Sequence, residues 1–144
     1  MTDQAAPFRI LPELSDRSRH FWTGGEVGEL RILRCQDCGY YLHPPASICP
    51  KDRSRNVAPE AVSGRGTVAT FTINHQRWMP DLEVPYVIAL ISLPEQPELR
   101  LTTNLVNCEP YEVHSGMAVQ VLFEHRSDDQ GEMWIPLFEP AQEA

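Results

Sequence analysis

Between Thr67 and His75 apolar and polar side chains alternate, with Ala69, Phe71 and Ile73 on one face and Val68, Thr70 and Thr72 on the other. A period of two predicts a strand with one covered face. The alternation returns where Leu99, Leu101, Thr103 and Leu105 interleave with Arg100, Thr102 and Asn104, and where Val119, Val121 and Phe123 interleave with Gln120 and Glu124. Tyr86 to Leu93 is almost continuously apolar, which predicts a strand covered on both faces. Gly64 and Gly66 predict a bend or bulge ahead of the first strand. Gly116 predicts a turn before Val119, and Asp128 to Gly131 a hairpin into a last strand at Met133 to Phe138. Five or so strands in roughly 85 residues, with curvature built in, predict a small closed β-barrel, for which an OB-fold is the best fit.

The first part of the chain is patterned differently. Pro7 and Pro12 argue against early helix, so residues 1–13 are expected to form a loosely held arm. Ser15 offers a cap, Phe21 and Trp22 follow, and Gly24-Gly25 offers a stop, which predicts one short helix. Phe21 and Trp22 are candidates both for anchoring that helix to a core and for a partner surface, where Trp is enriched. Leu30 to Arg34 reads as a strand, and Tyr40 to His43 as its return, ended by Pro44-Pro45. The expected class is mainly β. An arm and helix over residues 1–29 and a metal ribbon over 30–55 precede the OB-fold over 56–144.

The ribbon is predicted from Cys35-x-x-Cys38-Gly39 followed by Cys49-Pro50-x-Asp52, the outline of two metal knuckles facing each other. Tight turns aim two side chains at one point, and thiolates so arranged bind Zn²⁺ tetrahedrally. The fourth position is Asp52, three residues after Cys49 as Cys38 is three after Cys35, and a carboxylate is an acceptable zinc ligand. His43 is the competing fourth ligand, and Asp37 lies inside the first turn. A disulfide between Cys35 and Cys38 would be strained. A redox Cys-x-x-Cys needs a helix start in a βαβ setting that the pattern lacks. A closed four-ligand site implies a structural ion; Asp52 is the ligand that could move aside for catalysis, and ligand type alone also admits iron. Cys108, in a loop before Pro110, is expected to be a buried thiol with no metal role.

Charge and composition narrow the function. The 144-residue chain carries 13 Pro and a formal net charge of -8. Residues 17–65 hold eight Lys/Arg against five Asp/Glu, and residues 66–144 hold three against twelve. An extended polyanion is repelled by the second part, which argues against a nucleic-acid module, whereas a compact phosphate group can still meet the first. No window is apolar enough for a membrane span and no basic start precedes an apolar run, so a soluble cytoplasmic protein is expected. No nucleophile–base set or paired carboxylates stand out. His75 is expected to be a rim residue, and His20, His43, His114 and His125 share no common spacing. Trp78, Met79 and Pro80, followed by Pro85-Tyr86, form an apolar loop; Trp78, Met79 and Tyr86 are interface candidates, with a loop folded over the barrel mouth as the alternative.

Several fragments in order carry a family resemblance: Phe21-Trp22, the Cys35-x-x-Cys38-Gly39 to Cys49-Pro50 ribbon, Gly64-x-Gly66-Thr67-Val68 with Phe71-Thr72, Pro85-Tyr86, Thr103-Asn104-Leu105-Val106, Gly116-Met117-x-Val119 and Pro136-Leu137-Phe138-x-Pro140. Together they resemble the DUF35 family over about residues 15–141, which pairs a rubredoxin-like zinc ribbon with an OB-fold and is associated with acyl-CoA. The resemblance implies a non-catalytic accessory subunit beside a thiolase-fold, lipid-transfer-protein-like enzyme, in a heterotetramer. Some actinobacterial relatives form aldolases that cleave the side chain of steroid-CoA thioesters. Asp52 departs from the family's fourth Cys. If acyl-CoA touches this chain, the candidates for its phosphates are Arg31, Arg34, Lys51, Arg53, Arg55 and Arg65, which could equally form a solvated rim or pair with the partner. A free acyl-CoA binding protein and an OB-fold/zinc-ribbon nucleic-acid module are the rival readings.

Overall fold

The computed structural model describes residues 7–142. Of the arm expected over residues 1–13, the first six lie outside that range, and the rest is tied down. Arg9 Nε donates to Glu124 at 2.6 Å and its Nη1 to Asn104 at 3.2 Å. Arg126 donates to the Pro7 carbonyl, and Gln130 bonds the Leu14 amide and the Pro12 carbonyl. Prolines that forbid a helix leave backbone groups free for side chains, and Leu14 is buried at the end of the strap.

Helix α1 spans Arg19–Thr23, entered through a turn in which the Ser15 carbonyl accepts the Arg19 N–H at 2.8 Å. The α-helix ends at the expected glycines, with Gly24 as its C-cap, its N–H on the His20 carbonyl. The chain then tightens into a 3-10 turn over Gly24–Val27 that ends at Gly28, whose φ of 76° is left-handed. Gly25 also answers a packing need: a Cβ there would lie 2.5 Å from Trp134 Cβ and 2.6 Å from Phe123 Cδ1. The absent side chain lets the turn sit on the barrel.

Three strands form an antiparallel ribbon sheet in the order β2-β1-β3: β1 Leu30–Cys35, β2 Tyr41–Leu42 and β3 Val57–Val62. The period-two pattern did not predict β3. Pro59 sits in it opposite Leu33, a place proline tolerates because β3 is an edge strand and needs no second ladder of N–H donors. From β3 the chain passes through Ser63-Gly64 into the barrel. Five strands close it in the order β4-β5-β6-β8-β7: β4 Arg65–Asn74, β5 Tyr86–Ser92, β6 Arg100–Leu105, β7 Ala118–Asp128 and β8 Gly131–Pro140. Neighbours are antiparallel except β6 and β8, which meet in parallel at Leu105 and Phe138. This is the expected OB-like barrel behind a zinc ribbon.

Two details of the expected pattern change. A bulge between Val68 and Thr70 switches the inward face of β4, so Val68 is buried before it, while Phe71 and Ile73 pack on the core after it. Ala69 is the extra residue, and the alternation cannot be read through it. In β5 only Val87, Ala89 and Ile91 are buried; Tyr86, Ile88 and Leu90 are half-exposed, so one face is covered and not two.

The main core joins the two sheets. Phe21 of α1, Leu30 and Ile32 of β1 and Tyr41 of β2 pack in one cluster with Val68, Val87, Ile91, Leu101 and Phe138 of the barrel. A separate small cluster, Leu33, Cys35, Leu42 and Cys49, fills the far end of the ribbon. Gln96 staples the ribbon to the barrel: its Oε1 accepts the Tyr41 N–H at 2.8 Å and its Nε2 donates to the Tyr41 carbonyl at 3.1 Å. A side-chain amide thus pairs with β2 as a strand would.

Candidate functional site

The two knuckles are built alike, residue for residue. In the first, the Gly39 N–H reaches the Cys35 carbonyl at 2.9 Å and the Cys35 N–H the Tyr40 carbonyl at 2.8 Å. In the second, the Arg53 N–H reaches the Cys49 carbonyl at 2.9 Å and the Cys49 N–H the Ser54 carbonyl at 2.9 Å. The residue after each second ligand is left-handed, Gly39 at φ 83° and Arg53 at φ 64°. Each turn buries its first ligand, Cys35 or Cys49, and exposes its second, Cys38 or Asp52. Asp52 therefore occupies the place that Cys38 has in the opposite knuckle.

The four ligand atoms all lie within 4.8 Å of one another. Cys35 Sγ is 3.6 and 3.5 Å from the two Asp52 oxygens, and Cys38 Sγ is 3.6 Å from Cys49 Sγ. Zinc bonds of about 2.3 Å to sulfur and about 2.1 Å to oxygen, set tetrahedrally, require edges of roughly 3.6 to 3.8 Å between donors. The Cys35–Asp52 and Cys38–Cys49 edges have about that length, and three soft thiols with one carboxylate suit Zn²⁺.

The surroundings prepare the charges. Asp52 is held below the ordinary carboxylate range, first by the Ser54 backbone N–H, which donates to its Oδ1 at 2.9 Å. The Cys35 thiol is raised by desolvation, but backbone donors from Cys38 and Asp37 outweigh that and leave it lowered. The Tyr40 backbone N–H lowers the Cys38 thiol, yet desolvation, the neighbouring thiols and the Asp52 charge push it up to about 12. Four such donors cannot all ionise without a cation between them. Asp37 is no ligand. It accepts from the Ser54 hydroxyl and, at 3.2 Å, from Asn56 Nδ2, which ties the first turn to the end of the second.

His43, the alternative fourth ligand, stands outside the cluster. Its ring stacks on Phe21 with centroids 5.1 Å apart, and desolvation followed by the charge of His20 lowers it to about 4. Sequence spacing gave no sign that His20 and His43 would meet; the packing of α1 on the ribbon brings them together. Cys108 is half-buried and packed on the main core, away from the cluster; desolvation, then Glu112 and Glu109, raise its thiol. His75, at the end of β4, is exposed and stacks on Tyr111.

The structure separates the six basic candidates. Arg31 pairs with Glu29 at 2.9 Å. Arg34 lies over the Tyr41 ring at 4.5 Å, donates to the Gly39 carbonyl at 2.8 Å and approaches Glu60 at 3.7 Å. Lys51 lies over the Tyr40 ring. Arg53, Arg55 and Arg65 have no carboxylate within 4.0 Å among the described residues. Of the interface candidates, Phe21 is buried, packed edge-on against Trp22, which is half-buried in the core. Trp78 is 69% exposed. With Met79, Leu82 and Tyr86 it lines a groove of about 690 Å³ at one mouth of the barrel, walled by the strap at Pro7 to Ile10. No helix among the described residues is long and apolar enough to cross a membrane.

Known proteins share this arrangement. The family model described as "ChsH2, rubredoxin-like zinc ribbon domain" matches residues 22–58, and "ChsH2, C-terminal OB-fold domain" matches residues 59–124. The chain is 35% identical over 127 residues to the "3-oxo-4,17-pregnadiene-20-carboxyl-CoA hydratase alpha subunit" of Mycobacterium tuberculosis, covering 88% of this chain and 40% of that protein. It therefore spans well under half of that relative. A "DUF35 domain-containing scaffold protein" of Methanocaldococcus jannaschii is 36% identical over 99 residues, 67% of this chain and 69% of the relative. Among solved structures, a chain of an "Ltp2-ChsH2(DUF35) aldolase" superposes with a TM-score of 0.77 at 30% identity, covering 90% of this chain and 98% of the other. The chain belongs to the DUF35 family.

Proposed function

We propose that this chain is a non-catalytic accessory subunit of an acyl-CoA-processing complex, built around a thiolase-fold partner and assembled as a heterotetramer in the cytoplasm. Its reaction would be the retro-aldol cleavage of a steroid-CoA side chain. The observation that carries the reading is the near end-to-end likeness to one chain of the Ltp2-ChsH2(DUF35) aldolase, at 30% identity over 98% of that chain. A metal site whose four positions are filled by protein agrees with it, since catalytic zinc keeps one open.

In this reading Cys35, Cys38, Cys49 and Asp52 hold a structural Zn²⁺, and the ion closes the ribbon so that its end stays docked. The chain supports the fold of the partner and the path of the acyl-CoA. A second reading, a part in a hydratase, is favoured by the 35% identity to the hydratase alpha subunit. Co-expression with a co-encoded thiolase-fold protein, followed by size-exclusion chromatography with light scattering and an acyl-CoA cleavage assay, tests both. A heteromeric complex active only with both chains is the expected result. A chain that runs alone and leaves the partner's activity unchanged would overturn the accessory role; complex formation with hydration and no carbon–carbon cleavage would select the hydratase.

A further inference from the structure

Two unpaired arginines of the first half border one cleft. Between the turn that leads into α1 and the ribbon lies a cleft of about 820 Å³, lined by Ser15, Arg17 and His20 on one side and by Ser47, Arg55 and Val57 on the other. Neither Arg17 nor Arg55 has a carboxylate within 4.0 Å among the described residues, although Asp16 also borders the cleft. His20 Nε2 is buried with no hydrogen-bond partner. A buried polar nitrogen without a partner costs free energy that a ligand oxygen can restore. Two guanidinium groups, a ring nitrogen and the Ser47 hydroxyl, from separate segments, make a donor set that an anion of several oxygens fits, and Arg meets phosphate through two parallel bonds.

We propose that this cleft binds the phosphate groups of a phosphorylated ligand, with Arg17 and Arg55 as the two clamping residues and His20 and Ser47 as further donors. Of the six basic residues singled out by sequence, only Arg55 is in it; Arg17 comes from the turn before α1. The geometry accepts a free diphosphate as well as the phosphates of a CoA thioester. The second source deepens the accessory-subunit reading and rests on it; the first does not.

The test uses the zinc-loaded full chain without a partner, titrated by calorimetry with pyrophosphate, 3',5'-ADP and CoA, alongside Arg17→Ala, Arg55→Ala and the controls Arg53→Ala and Arg65→Ala. The expected result is salt-sensitive binding weakened about tenfold or more by each cleft variant, with the controls near wild type. Tighter binding of CoA and 3',5'-ADP than of pyrophosphate would assign the site to CoA, and equal binding to a free diphosphate. No binding of any probe at millimolar concentration, or cleft variants that bind like wild type, would overturn the proposal. The accessory role would survive that outcome if the complex with the partner still formed. Loss of the complex with the cleft intact would remove the role and leave the site.

Discussion

At the scale of single residues the metal centre is two copies of one turn with unequal side chains. Asp52 stands where symmetry with Cys38 calls for a thiolate, and its carboxylate is fixed by the Ser54 N–H at 2.9 Å. Thiolate is the softer ligand, so Asp52→Cys is expected to slow zinc transfer to a chromogenic chelator and Asp52→Ala to speed it. A faster-leaking Asp52→Cys would show that the carboxylate is tuned to the site. The left-handed residues give a pair of opposite sign. Gly39→Ala places a side chain at φ 83°, where the new Cβ would meet only the Arg34 guanidinium, its Nη2 nearest at 3.4 Å, so the cost is backbone strain of about 1 kcal/mol. Arg53→Gly relieves the same strain at φ 64°, less what the unfolded chain gains in freedom, and should be neutral to stabilising by about 0.5 kcal/mol in urea unfolding. His43 gives a pH dependence. Its folded-state value, about 4, lies below the ordinary 6.5, so the unfolded chain binds the extra proton and stability falls as pH drops from 6.5 towards 4. Discounted for partial exposure the loss is on the order of 2 kcal/mol. His43→Asn should flatten that slope relative to wild type, and equal slopes would refute the assignment.

At the scale of elements, the ribbon strand β1 belongs to two cores. Leu30 and Ile32 pack with the barrel, whereas Leu33 and Cys35 pack in the small cluster around the metal. Four buried residues hold too little apolar surface to stay ordered alone, so the metal carries that end. Chelation should strip hydrogen-exchange protection from the amides of Gly39, Leu42 and Arg53 while those of Val87 to Ile91 keep theirs. Global loss of protection would mean the ion holds the whole molecule. The same division explains how much could be read beforehand. The knuckles were legible because ligand spacing is a local property, and five barrel strands because alternation is local too. Strand β3 was not, since Pro59 breaks the pattern and only its position at an edge makes it admissible. The face of β4 was misread because a bulge at Ala69 leaves no mark in composition. Gly24-Gly25 was legible as a helix stop, but the packing of Gly25 on Trp134 and Phe123, more than 95 residues away, was not. That Gln96 pairs with Tyr41, and that Arg17 and Arg55 border one cleft, depends on docking, which no window of sequence contains.

At the scale of the molecule, charge and exposed aromatic surface are segregated. The barrel part, residues 66–144, holds three basic against twelve acidic side chains, while the unpaired Arg17 precedes the helix, Arg53 and Arg55 sit on the ribbon, and Arg65 opens β4 where the two parts join. The two most exposed aromatics are on the barrel, Trp78 at 69% and Tyr111 at 72%, the latter stacked on His75 just past β4, with Phe8 of the strap exposed to a lesser degree. Trp78 Nε1 donates to Asn74 Oδ1 at 3.3 Å, an exposed contact that favours one orientation of the ring. A large aromatic with only two side-chain torsions to order loses little entropy for the area it buries and so makes an efficient anchor. If the partner docks on the mouth of the barrel, Trp78→Ala with Tyr86→Ala should weaken assembly by at least about 2 kcal/mol, roughly thirtyfold in Kd, without changing the stability of the free chain by as much. Val27, exposed on the 3-10 turn, is the control, and Val27→Ala should leave assembly untouched. The salt response separates the two halves of the surface. Docking through the acidic barrel onto a basic partner slows as ionic strength rises, with the main effect on the association rate. A double variant that assembles like wild type would move the interface off this face, and the ribbon, with its free arginines, would be the surface to test next.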